Sequence, residues 1–157
     1  MALKISTPIW SQGAKIPRKY TCDDRDVSPP LVFQGAPTAT RAFAMICDDP
    51  DAPVGTWVHW VIYNIPGTAT GLNEGIPVDP KLGDGTMQGK NSWDNFGYGG
   101  PCPPPGKPHR YFFKLYALDA PLNASPGLTS KQLEDAIKGH VLGNAEMMGT
   151  YGRASAK

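Results

Sequence analysis

The sequence is short of charge. Asp, Glu, Lys and Arg make up 18% of its 157 residues, and 15 basic side chains against 14 acidic ones leave a formal net charge of +1. A balance so close to zero argues against a nucleic-acid protein built on a basic face, and against a polybasic membrane-surface binder. Long apolar runs are missing as well. No stretch approaches the roughly 18 consecutive apolar residues of a spanning helix, so no membrane span is expected. The opening MALKISTPIW lacks the apolar centre of a secretory leader, which makes a cytoplasmic location the expectation. Cysteine is scarce: Cys22, Cys47 and Cys102 are an odd set with no CxxC pair. That pattern indicates neither a disulfide framework nor a zinc site, and free cytosolic thiols are expected. The G-x-S-x-G elbow, the P-loop and the dinucleotide fingerprint are also absent, so no activated nucleophile and no cofactor is read from the chain.

Glycine (18 residues) and proline (17) are abundant, at about double their average share. They show no repeat period, and apolar residues reach 40%. Collagen and disorder are therefore both disfavoured, leaving one loop-rich, mainly β domain over residues 1–157. Strand-like runs cover Leu31 to Phe33, Ala42 to Cys47, Trp57 to Ile65 and Tyr111 to Leu118, with shorter pieces at each end. Simple alternation puts Trp57, His59, Val61, Tyr63 and Ile65 on one face of WVHWVIYNI, and Val58, Trp60, Ile62 and Asn64 on the other. Both faces are apolar, so this is a central strand covered on both sides, and sheet-on-sheet packing follows. One helix is expected from a capping box at Thr129 and Gln132, with Ser130 as the alternative cap, Leu133, Ile137, Val141 and Met148 along one stripe and Gly149 as its stop. Glu134 and Lys138 form an i,i+4 pair on it, and His140 lies on its solvated side.

Three segments combine polar groups with a restricted backbone. Cys47 to Pro53 follows an apolar strand and holds three acids and two prolines in seven residues. Proline and the residue before it have few conformations, so Asp49 and Asp51 sit on a stiff strand end. An ordinary exposed turn is the competing reading. Thr56 to Trp60 places His59 among aromatic residues, one short loop from Asp49. If the two strands are neighbours, the Asp49 carboxylate reaches the imidazole, fixes its orientation and raises its pKa. Gly97 to Tyr111 carries four glycines and five prolines in fifteen residues. Glycine allows close backbone approach to a ligand, and the prolines stiffen the wall. The segment delivers His109 and Tyr111 to one face of a strand, with Arg110 and Phe112 on the other.

Together these segments suggest one pocket with an acid, two histidines, a tyrosine hydroxyl and the Trp57 indole. Such donors suit a compact anion, a phosphate monoester or a carboxylate. Two alternatives use the same residues. Asp49, His59 and His109 could serve as acid–base groups of a small hydrolase, or as a two-histidine, one-carboxylate metal site. Exposed aromatic residues, Trp10 among them, are compatible with a homodimer.

The segments DDPDAP, WVHWVIYNIP and GYGGPCPPPGKPHRYFFKLYALD resemble the phosphatidylethanolamine-binding family, also called Raf-kinase-inhibitor-like proteins, in its bacterial and archaeal branch. YTCDDRDVSPPLVF resembles that branch's Y-x-C-x-G-x-x-x-S-P-P-L segment, with Asp24 in place of the glycine. The likeness runs from about Ile5 to Arg153. It implies a large antiparallel sheet packed with a smaller one, and a pocket at one end. Its aspartates fall on Asp49 and Asp51, its histidine and tryptophan on His59 and Trp57, its Gly-Pro loop on Gly100 and Pro101, and its HRY pair on His109 and Tyr111. The implied function is non-enzymatic binding of a phosphate or phospholipid head group, with a protein partner such as a kinase. Tyr151 and Cys102 receive no role.

Overall fold

The run Ala42–Asp49 is buried at every residue and takes the middle of the larger sheet. The computed structural model describes residues 2–153. In chain order the elements are β1 (Lys4–Ser6), β2 (Leu31–Gln34), β3 (Ala42–Asp49), β4 (Trp57–Pro66), β5 (Gly71–Leu72), β6 (Met87–Gln88), β7 (His109–Leu118), α1 (Ser130–Ile137) and β8 (Val141–Tyr151). A five-stranded sheet runs β6-β4-β3-β7-β8 and a three-stranded sheet runs β1-β2-β5. Every pairing between these strands is antiparallel. The mainly β fold with two antiparallel sheets and one helix is the architecture expected from the sequence.

The two faces of the large sheet are covered differently. On the inner face Phe43, Met45 and Cys47 join Trp60, Ile62, Phe113 and Leu115 against Ile5, Leu31 and Phe33 of the small sheet. On the outer face Ala44, Ile46, Val61 and Tyr63 pack against Leu133 and Ile137 of α1. Burying each of these large side chains contributes about 1.5–3 kcal/mol, so both layers hold the sheet firmly.

β4 departs from the expected alternation. Cys47 pairs with Trp60 and Asp48 with Val58, which leaves His59 as an extra residue on β4. Phe43 pairs with Ile65 and Met45 with Ile62, so a second extra residue lies near Asn64, which takes φ +54°. Each bulge switches which side chains face inward. Trp60, Ile62 and Ile65 therefore share the inner core while Val61 and Tyr63 face α1.

Three further expectations need correction. The helix is shorter than its apolar stripe. Its capping box forms as expected, but Gly139 takes φ +82° after Lys138, and Val141–Tyr151 is an edge strand paired with β7. Lys138 consequently pairs with Asp135 rather than Glu134, and His140 sits in the turn beside Asp119. Trp10 is buried in the inner core, 8% exposed, so it offers no dimer surface. Finally, Cys22 and Cys102 form a disulfide, and Cys47 alone is free and buried. The bond joins residues 80 apart, a separation that carries no local signal.

Candidate functional site

The site begins where β3 runs out. Asp48 and Asp49 end that strand and, being consecutive, point to opposite faces. Asp49 points inward and its side chain is 4% exposed. One carboxylate oxygen accepts the Asp51 N–H at 2.8 Å, which closes the turn after the strand. The other accepts from His109 Nδ1 at 2.7 Å. Antiparallel pairing of β3 with β7 makes this contact, because the end of one strand meets the start of the other.

The expected Asp49–His59 pair does not form. His59 Nδ1 donates to the Gly99 carbonyl at 2.7 Å, and the Gly99 N–H donates to the His59 carbonyl at 2.9 Å. A carbonyl only accepts, so Nδ1 carries the hydrogen and Nε2 is left for the cavity. The ring stands edge-on to Trp93 and Tyr111, with centroids 5.0 and 5.1 Å away. Burial pushes the His59 pKa below 6.5, and the opposing pull of Gly99 and Asp49 is smaller. The expectation of a raised value is thereby reversed: desolvation outweighs a carboxylate that the ring does not touch.

Asp49, Trp57, His59, His109 and Tyr111 line one cavity of about 260 Å³. Two buried donors in that wall, Trp57 Nε1 and the Tyr111 hydroxyl, have no hydrogen-bond partner. Burial, then the nearby Asp49 carboxylate, pushes the Tyr111 phenol far up, so it remains a donor across the working pH range.

Asp51, Gly100 and Pro101 do not line this cavity. Asp51 faces Arg110, accepting from its Nε and terminal nitrogen at 2.9 Å each and from its backbone N–H at 3.0 Å. That fork lowers the Asp51 pKa from its ordinary 3.8 to about 2. The Gly100 N–H donates to Asp26 at 2.8 Å, and a Cβ there would lie 2.3 Å from the Tyr20 carbonyl oxygen, so only glycine fits. The Pro101 carbonyl accepts the Cys22 N–H at 3.1 Å. Gly100 and Pro101 thus tie the loop to the 20–26 segment.

Pro103 and Pro104 of the proline-rich segment also line the cavity, as does Trp93, which sequence reasoning missed. Trp93 is held by Asn91, whose side-chain oxygen accepts from the Trp93 and Asn95 N–H groups. The Asn-Ser-Trp-Asp-Asn run is a turn signal, but nothing in it points toward His59. Among the described residues, no group of three or more His, Cys, Asp or Glu side chains is placed to hold a metal.

Comparison with known proteins agrees with this architecture. The phosphatidylethanolamine-binding protein family profile matches residues 6–152. A UPF0098 protein of Methanothermobacter thermautotrophicus is 48% identical over 151 residues, covering 96% of this chain and 99% of its own length. The crystal structure of a phosphatidylethanolamine-binding protein homologue from Chlamydia trachomatis superposes with a TM-score of 0.89 at 38% identity, covering 97% of this chain and 98% of that one. Escherichia coli YbcL, described as a member of the mammalian family, gives 0.84 at 29% identity, covering 97% and 99%. The chain belongs to the phosphatidylethanolamine-binding protein family.

Proposed function

We propose that this member of the phosphatidylethanolamine-binding protein family is a binding protein for a small anion, a phosphate monoester or a phosphorylated head group. The observation that carries the reading is the pair of buried, unpartnered donors, Trp57 Nε1 and Tyr111 OH, in one cavity. An unsatisfied buried donor costs about 1–3 kcal/mol, and an anion oxygen that reaches either donor offsets that cost. His59 and His109 turn their Nδ1 atoms into the fold, which leaves Nε2 of each unbonded, to donate to an anion once the ring carries a second proton. The cavity's size suits a head group rather than a whole lipid.

Binding is favoured over catalysis because the groups that could attack a substrate are disarmed. Burial pushes the Cys47 thiol well up, Cys102 is in a disulfide, and the Tyr111 phenol is held protonated. Titration calorimetry with inorganic phosphate and with phosphoethanolamine tests the reading. Saturable binding that is weakened by His109→Ala is expected, and no binding of either ligand contradicts it.

A further inference from the structure

The wall of the anion cavity contains a proline run with a covalent anchor. Gly99 bonds to His59, Gly100 to Asp26, and Pro101 to the Cys22 N–H. Cys102 then closes the disulfide to Cys22. The next three residues, Pro103 to Pro105, have no N–H to donate. Backbone bonding resumes at Gly106, which donates to the Arg153 carbonyl at 3.0 Å. The disulfide is therefore the last anchor before the two prolines that line the cavity.

Cys102 also stands between two hollows. It lines the anion cavity of about 260 Å³ and a neighbouring one of about 580 Å³, and both share Trp93. Trp93 in turn touches the Trp57 and His59 rings edge-on. Gly99, three residues before Cys102, lies against the Trp93 ring, so releasing Cys102 frees the proline rim of the loop on which Trp93 rests.

We propose that the Cys22–Cys102 disulfide is a reversible latch on this wall, and that opening it with a dithiol weakens anion binding. The proposal rests on the anion reading of the cavity. Cys102 is exposed and Cys22 half-buried, so the dithiol's thiolate attacks Cys102 Sγ. The S–S bond breaks and its electron pair leaves on Cys22 Sγ, which takes up a proton. The dithiol's second thiolate then attacks its own mixed disulfide and expels Cys102, which is protonated in turn. Two electrons pass from the dithiol, which becomes a disulfide, to the protein. Cys47 cannot intercept either step, because it is buried and burial pushes its thiol up.

Linkage makes the effect reciprocal: if reduction weakens phosphate binding by some factor, bound phosphate resists reduction by the same factor. The test compares the oxidised protein, the same protein reduced by dithiothreitol, and the Cys22→Ser/Cys102→Ser double variant. Phosphate affinity is measured by calorimetry. The His59, His109 and Trp93 side-chain resonances are recorded without ligand. At least about fivefold weaker phosphate binding is expected in both opened forms, at the low end of ordinary coupling. The Trp93 and His59 resonances move, and saturating phosphate raises the dithiothreitol needed to open the bond. Equal affinity in oxidised and reduced wild type, with those resonances unmoved, overturns the latch. Should the double variant fail to fold, reduced wild type decides alone. Failure of the oxidised form to bind phosphate contradicts the anion reading instead. The ligand-free resonances then decide the latch: moved supports it, unmoved overturns it.

Discussion

Asp48 and Asp49 are neighbours in the chain and serve opposite faces of one sheet. Inward, Asp49 holds His109 at 2.7 Å with both side chains nearly sealed from water, at 4% and 11% exposure. Outward, Asp48 holds Lys114 at 3.0 Å, and the lysine is 36% exposed. The inner cavity presents unpartnered donors. The outer one, about 480 Å³, is lined by Asp48, Glu134 and Glu146 around a single lysine. Two identical residues one peptide apart thus stand in a donor-rich and an acceptor-rich setting. Strand alternation sorts them onto the two faces of the sheet.

The sharpest way to break this contrast is to remove each acid. Asp49→Ala strips acceptors from His109 Nδ1 and the Asp51 N–H. A loss of about 3 kcal/mol is expected in urea unfolding, together with loss of phosphate binding. Asp48→Ala should cost about 1 kcal/mol or less, because Lys114 can turn to water, and phosphate affinity should hold. Equal losses would erase the distinction between the faces.

Tyr111→Phe separates folding from binding. The hydroxyl is buried without a partner, so its removal leaves stability unchanged or slightly higher. Phosphate binding should weaken by about 1 kcal/mol, roughly fivefold, if that hydroxyl donates to the ligand. A destabilised variant with unaltered affinity would count against the donor role.

The third prediction concerns pH. Burial holds the free His59 pKa below 6.5, and a bound anion raises it again. Binding therefore takes up a proton in the window between those two values. Affinity rises as pH falls through the bound value and levels off below the free one. Sulfate is the suitable probe, since it does not titrate in this range. Constant sulfate affinity from neutrality to pH 5 would show that His59 does not sense the anion.

The smallest effect lies outside the cavity. Asp51 has its folded pKa lowered to about 2 from 3.8, first by the Arg110 side chain. Its stabilisation is present above about pH 4 and fades as pH falls through 2. Acid unfolding of Asp51→Asn should lose that component while its phosphate affinity near neutrality is retained.

Much of this was legible in the sequence. The two central strands follow from apolar runs between turn signals, and five of the eight expected site residues line one cavity. What stayed hidden depended on long range or on single-residue shifts. One short loop between Asp49 and His59 suggests a pair, but β7 brings His109 to Asp49 and the 97–100 loop brings the Gly99 carbonyl to His59, both from far along the chain. Leu133, Ile137 and Val141 fit a helical stripe, yet the helix ends at Ile137. The period-two burial of Met147, Gly149 and Tyr151 was the competing signal, and edge pairing with β7 decided it. Trp93 reaches the site through a turn whose direction no local pattern sets.

The proposed anion site works through two imidazoles whose Nδ1 atoms are already committed. ¹⁵N spectra of the three histidine rings during phosphate titration decide whether it exists. His59 and His109 should shift at Nε2 with one common binding constant, while His140, paired with Asp119 on the surface, stays still. No shift at millimolar phosphate, or an equal shift at His140, would contradict it.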